Sequence, residues 1–202
     1  MKKMVLLFLL ALALPMAAFA SNSIDFTNSG GTLMGSSAGL SLSGSNLIAV
    51  NGFGGLGLVT GSLGTLTFST GAPASAGVWE MGGTLGGGGS FVITSNGSQG
   101  LPSGMLFNGS FSGPVTWTLV TLANGTHNYT LTGSLTGAWI TGRTVSGATV
   151  QLTINTGKGF FNGSTMISSG DTNVVVPEPG SLTLLGTGLV GLAGVVRRKL
   201  KA

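Results

Sequence analysis

Between residues 21 and 176, apolar and polar side chains alternate with a period of two. Thr116 and Thr118 separate Val115, Trp117 and Leu119. Asn128, Thr130, Thr132 and Ser134 are interleaved with Tyr129, Leu131 and Leu135. Thr149, Gln151, Thr153 and Asn155 are interleaved with Ala148, Val150, Leu152 and Ile154. Successive side chains of a strand point to opposite faces, so each stretch predicts a half-buried strand with a Thr-rich outer side. Residues 63–69 and 90–94 read as further strands. Asn-Gly recurs at Asn51, Asn96, Asn108, Asn124 and Asn162, and that dipeptide accepts the positive φ angles of hairpin turns. No helical periodicity precedes residue 181. The pattern predicts a mainly β domain over 21–167, a β-sandwich or β-roll-like arrangement of short strands. The glycine run 86–89 reads as a flexible loop and 168–176 as a stalk. Phe107-Asn108-Gly109-Ser110 and Phe161-Asn162-Gly163-Ser164 are locally alike, but no fixed repeat period emerges.

The two ends of the chain break this pattern. Met1-Lys2-Lys3, the apolar run 4–14 and the small residues Ala18 and Ala20 before Ser21 read as a secretory signal peptide, residues 1–20, cut by signal peptidase ahead of Ser21. At the other end, residues 181–196 are uncharged and mostly apolar, and Arg197, Arg198, Lys199 and Lys201 follow. As a helix, 181–196 spans about 24 Å, enough to cross a membrane once flanking side chains snorkel. The basic end 197–202 stays cytoplasmic by the positive-inside bias, so the domain faces outward. Just before the span, Pro177, Glu178 and Pro179 hold the backbone extended, a form that a peptide-cleaving site can grip.

The order Pro177-Glu178-Pro179, apolar span, terminal arginine cluster resembles the sorting signal of PEP-CTERM proteins, over residues 177–202. The resemblance implies an exported protein of a Gram-negative envelope, held in the inner membrane by its tail. An exosortase, a membrane-embedded transpeptidase-like enzyme, then cuts near Pro177-Glu178-Pro179. It further implies an association with exopolysaccharide and a final place at the cell surface or outside the cell.

Removing both ends changes the charge argument. The formal charge of the whole chain is +4, but Lys2, Lys3, Arg197, Arg198, Lys199 and Lys201 all lie in the targeting segments. Residues 21–176 keep Arg143 and Lys158 against Asp25, Glu80 and Asp171. Two isolated cations cannot neutralise a run of phosphates, which excludes nucleic acid as a partner. The 156 residues of this segment include 33 Gly and 44 Ser or Thr, and the chain has no Cys. Its stability must come from packing and backbone pairing without disulfide staples.

Few side chains here are suited to chemistry. Gly52-Phe53-Gly54-Gly55-Leu56-Gly57 has the G-x-G-x-x-G spacing of dinucleotide sites, but no helical pattern follows it and no acidic residue stands about twenty positions on, so it reads as a glycine-rich turn. A hydrolytic triad would need His127 with Asp25 or Asp171, and nothing selects its serine. His127 shares the inward parity of Tyr129 and Leu131, which reads as a packed histidine. Paired carboxylates would have to come from Asp25, Glu80 and Asp171, far apart in sequence. One His, no Cys and so few acids give no metal-ligand spacing, and no cofactor is expected. Aromatic rings stack on sugars, which makes Trp79 and Trp139 possible glycan contacts, while Trp117 points inward by parity. The resulting expectation is a non-catalytic envelope or extracellular-matrix protein. A carbohydrate-binding or adhesive module is the first alternative and a secreted hydrolase the second.

Overall fold

The computed structural model describes residues 22–167 and 169–176. The alternating stretches become strands: β1 Asn22–Ser29, β2 Thr32–Ser36, β3 Gly39–Asn51, β4 Val59–Ser69, β5 Gly83–Leu85 and β6 Gly88–Asn96. After these come β7 Ser103–Phe111, β8 Val115–Thr121, β9 His127–Trp139, β10 Thr144–Asn155, β11 Ser164–Met166 and β12 Gly170–Val176. One helix of four residues, α1 Val78–Met81, lies between β4 and β5.

The strands close on themselves. Going round, the order is β1, β12, β10, β9, β7, β6, β4, β3, and β3 pairs again with β1. This eight-stranded barrel-like ring replaces the sandwich or roll expected from the strand spacing. A sandwich keeps two separate sheets with free edges, whereas here β1 bonds to both β3 and β12 and leaves the ring no edge. Strand spacing alone cannot distinguish the two, because closure is decided by one long-range pairing.

The other four strands form two flaps. β2 pairs with the first half of β3 and carries β11, while β8 pairs with the first half of β9 and carries β5. Adding six to each strand number, and counting on from β12 to β1, reproduces every pairing. β1–β3 becomes β7–β9, β4–β6 becomes β10–β12, β5–β8 becomes β11–β2, and β6–β7 becomes β12–β1. The barrel is therefore a topological duplication of a six-strand unit, with residues 22–96 and 103–176 as its halves. The offset between equivalent positions runs from 81 residues, Phe26 to Phe107, to 89, Val50 to Trp139. A drifting offset hides the repeat from any search for a fixed period.

The interior is filled. Phe68, Phe91, Phe107 and Phe111 pack edge-on or stacked in the middle, with centroids 6.0–6.2 Å apart. Trp139 joins them to Phe26 and Phe53 at one end. At the other end Trp117 stacks on Tyr129 at 5.1 Å, and Phe161 closes over both. An eight-stranded barrel has an interior just wide enough for side chains, and these rings occupy it.

The turns partly follow the Asn-Gly expectation. Gly52, Gly97, Gly125 and Gly163 all have positive φ, whereas Gly109 does not, and Asn108-Gly109 runs mid-strand in β7. At the β8–β9 hairpin, Gly125 N–H donates to the Leu122 carbonyl at 2.9 Å and Leu122 N–H to that of Thr126 at 2.8 Å. This is a three-residue loop with glycine in the left-handed position, not the two-residue primed turn. Two other expectations change. The run 86–89 forms the start of β6 and a close crossing, with Gly71 N–H bonded to the Gly86 carbonyl. Within 168–176, read as a stalk, Gly170–Val176 form β12, a barrel strand whose Thr172 and Val174 are buried. The expected signal peptide, 1–20, and transmembrane helix, 181–196, lie outside the described residues.

Candidate functional site

β1 enters and β12 leaves the barrel at the same end. Asp25, near the start of β1, lies opposite Asn51, the last residue of β3. Asn173 in β12 donates a side-chain hydrogen bond to the Asp25 carboxylate. β12 is bonded to β1 on one side and β10 on the other, and it continues to Val176. Pro177-Glu178-Pro179 therefore follows a barrel strand with no spacer between them.

The outer wall of β12, β10, β9, β8 and β5 carries the polar side of the alternation. One row across it reads Asp171, Gln151, Thr132, Thr116 and Thr84; the next contains Thr153, Thr130 and Thr118. Neighbours within a row sit about 4.8 Å apart from strand to strand, and successive rows lie roughly 7 Å apart along the strands. Thr130 and Thr153 share a hydrogen bond of 3.2 Å. A shallow hollow of about 220 Å³ opens on this wall, lined by Gln151, Thr153, Ser169, Gly170 and Asp171. Its chemistry is hydroxyl, amide and one carboxylate, suited to hydrogen-bonding an uncharged polyol.

Trp139, one possible glycan contact, is only 7% exposed and lies among Phe26, Phe53 and Phe107; its indole N–H has no partner. Trp79 is half-buried: one face of its indole covers Gly35 and its ring meets Phe161 edge-on. Trp117 is buried as its parity predicts. A pin of hydrogen bonds holds α1 and the segment before β11 onto this end of the core. The Tyr129 hydroxyl donates to the Glu80 carbonyl at 2.7 Å and accepts from Phe161 N–H at 3.0 Å.

The hydrolytic candidates are dispersed. His127 is buried at the end remote from Asp25, its ring stacked 4.3 Å from that of Phe160 and its Nδ1 3.3 Å from the Gly159 carbonyl. Asp171 aligns, through Gln151, with Thr132, five residues along β9 from His127. That is roughly 17 Å of strand. Asp25 and Asp171 do come onto neighbouring strands, but only Asp171 lines the hollow, and no histidine lines it. Gly52–Gly57 form one short 3-10 turn and the loop after it, with no helix to receive a phosphate. Among the described residues, no three His, Asp or Glu side chains are grouped to hold a metal ion.

The residues that follow β12 decide what kind of protein this is. Residues 175–199 match the family model for the PEP-CTERM protein-sorting motif, so the match overlaps the last two residues of β12. The chain carries a PEP-CTERM sorting motif. A PEP-CTERM protein is exported as a membrane-anchored precursor and processed by an exosortase. No curated protein and no solved structure matches the chain. The match covers Pro177, Glu178, Pro179, Arg197, Arg198 and Lys199, of which none lies among the described residues. Sequence reasoning missed the hollow on the barrel wall. Gln151 and Thr153 were legible as outward-facing, but Ser169, Gly170 and Asp171 fell within the presumed stalk.

Proposed function

We propose that the barrel is a non-catalytic cargo domain, exported and then delivered by its PEP-CTERM tail to the cell surface or the extracellular matrix, in association with exopolysaccharide. The observation that carries this reading is the direct passage from the last barrel strand into the sorting motif. The start of β1 and the end of β12, from which the tail continues in sequence, lie at one end of the barrel. The filled interior and the separation of His127 from Asp25 and Asp171 favour a structural or binding role over a catalytic one.

Mass spectrometry of the C-terminus, on protein from cells with and without the exosortase, tests the sorting part. The expected result is a chain cut near Pro177-Glu178-Pro179 only when the enzyme is present. An intact C-terminus in both, or unchanged localisation after Glu178→Ala and deletion of 197–199, would overturn it. The hollow beside the threonine rows favours a second reading, binding of a neutral polysaccharide strand. Here the wall supplies the contacts, in place of Trp79 and Trp139. On a glycan array, Gln151→Ala with Asp171→Ala should abolish any binding, whereas Trp139→Phe should leave it intact.

A further inference from the structure

We propose that this barrel exchanges halves between chains, so that a second copy of the same chain is its partner. The two halves meet along two seams, β6–β7 and β12–β1, and through two flap pairings, β5–β8 and β11–β2. The six-strand duplication makes each seam and each flap pairing the counterpart of the other. The first half of one chain therefore fits the second half of another through the same strand partners. Identical elements exchanged between protomers are a low-cost route to a dimer.

The connection between the halves is suited to opening. Residues 97–102 are all that join β6 to β7. Gly97 has φ 86°, Gly100 φ 81°, and Gln99 between them φ 57°. Gln99 is the only non-glycine residue with positive φ among those described, and a side chain in the left-handed region is strained. Straightening the link relieves that strain, and a short strained hinge is the known invitation to swapping. Extended, six residues reach about 20 Å, enough to pass from one barrel to its neighbour.

Neither half can bury its apolar face alone. Val50 and Phe26 from the first half pack with Trp139 and Phe107 from the second within one core. Each half must therefore find a complement. A short link presents the complement from its own chain at an effective concentration of roughly millimolar order. Exchange becomes competitive when chains fold at similar local density.

Native chains contain no Cys, which allows a direct test. Thr84 and Thr116 are exposed register partners across the halves, and Thr130 and Thr153 are partners within the second half. The full chain in detergent, carrying either T84C/T116C or T130C/T153C, is unfolded in urea, refolded at micromolar and at millimolar concentration, and oxidised. Concentrated refolding should raise the dimer fraction at least roughly tenfold, following the mass action of that effective concentration. In the dimer, the 84–116 disulfide should join two chains and the 130–153 disulfide should stay within one. The equivalent flap pair M34C/S164C should repeat the interchain result if T84C/T116C fails to fold. A dimer whose 84–116 and 34–164 links remain within chains would mean association through the tail or the surface and would overturn the proposal. So would the absence of any dimer after concentrated refolding.

Discussion

Glycine supplies the tightest constraints at the scale of single residues. A Cβ on Gly87 would lie 2.6 Å from the Gly113 carbonyl oxygen, and one on Gly71 would lie 2.5 Å from that of Gly87. Three segments of backbone cross there, and only hydrogen fits between them. Gly57 meets nothing within 4 Å and needs no positive φ. Gly87→Ala should therefore destabilise the barrel by about 2 kcal/mol, as overpacking does. Gly57→Ala should stabilise it by about 0.5 kcal/mol through the unfolded chain. Urea titration of the two variants checks both signs. Tyr129 makes a second residue-level prediction. Removing its hydroxyl in Tyr129→Phe leaves the buried Phe161 N–H and the Glu80 carbonyl without their partner. A loss of about 2 kcal/mol should follow, read as a lower urea midpoint with an unchanged slope.

At the scale of elements, β12 matters most, because it closes the ring between β1 and β10. A chain ending at Val176 should melt cooperatively as a soluble barrel. A chain ending at Ser169 exposes the edges of β1 and β10 and should aggregate or lose its thermal transition. Circular dichroism and size-exclusion chromatography distinguish these outcomes. β8, β9 and the part of β10 after its bulge, from Ala148 onward, were legible from the sequence because their apolar positions keep parity with polar residues, mostly threonine, between them. β3 was obscured by bulges: the register slips between Leu42 and Ser45 and again between Leu47 and Ala49, so Leu40, Leu42, Leu47 and Val50 do not keep one phase. β12 was hidden for a different reason. Its inward Thr172 reads as polar, although the structure buries it, and the strand looked like linker. The hollow on the wall inherited that error, since three of its five lining residues, Ser169, Gly170 and Asp171, come from the segment read as a stalk.

At the scale of the whole molecule, closure depends on distant pairings. The contact between Asp25 and Asn173 joins residues 148 apart in sequence. Loop-closure entropy must be met before such contacts form, so folding should take milliseconds to seconds despite the absence of disulfides. Stopped-flow refolding of the chain ending at Val176 measures this, and reductant should leave the rate unchanged. The duplication has one more consequence. Because β12–β1 is the counterpart of β6–β7, the place where the sorting tail departs corresponds to the place where the two halves are linked. In topological terms the barrel is a closed loop with a movable nick. Joining β12 to β1 with a six-residue turn, and opening the chain within 97–102, should yield a circular permutant with the same strand neighbours. The tail would then follow β6, on the opposite side of the barrel, and the same cargo would be held from its other half.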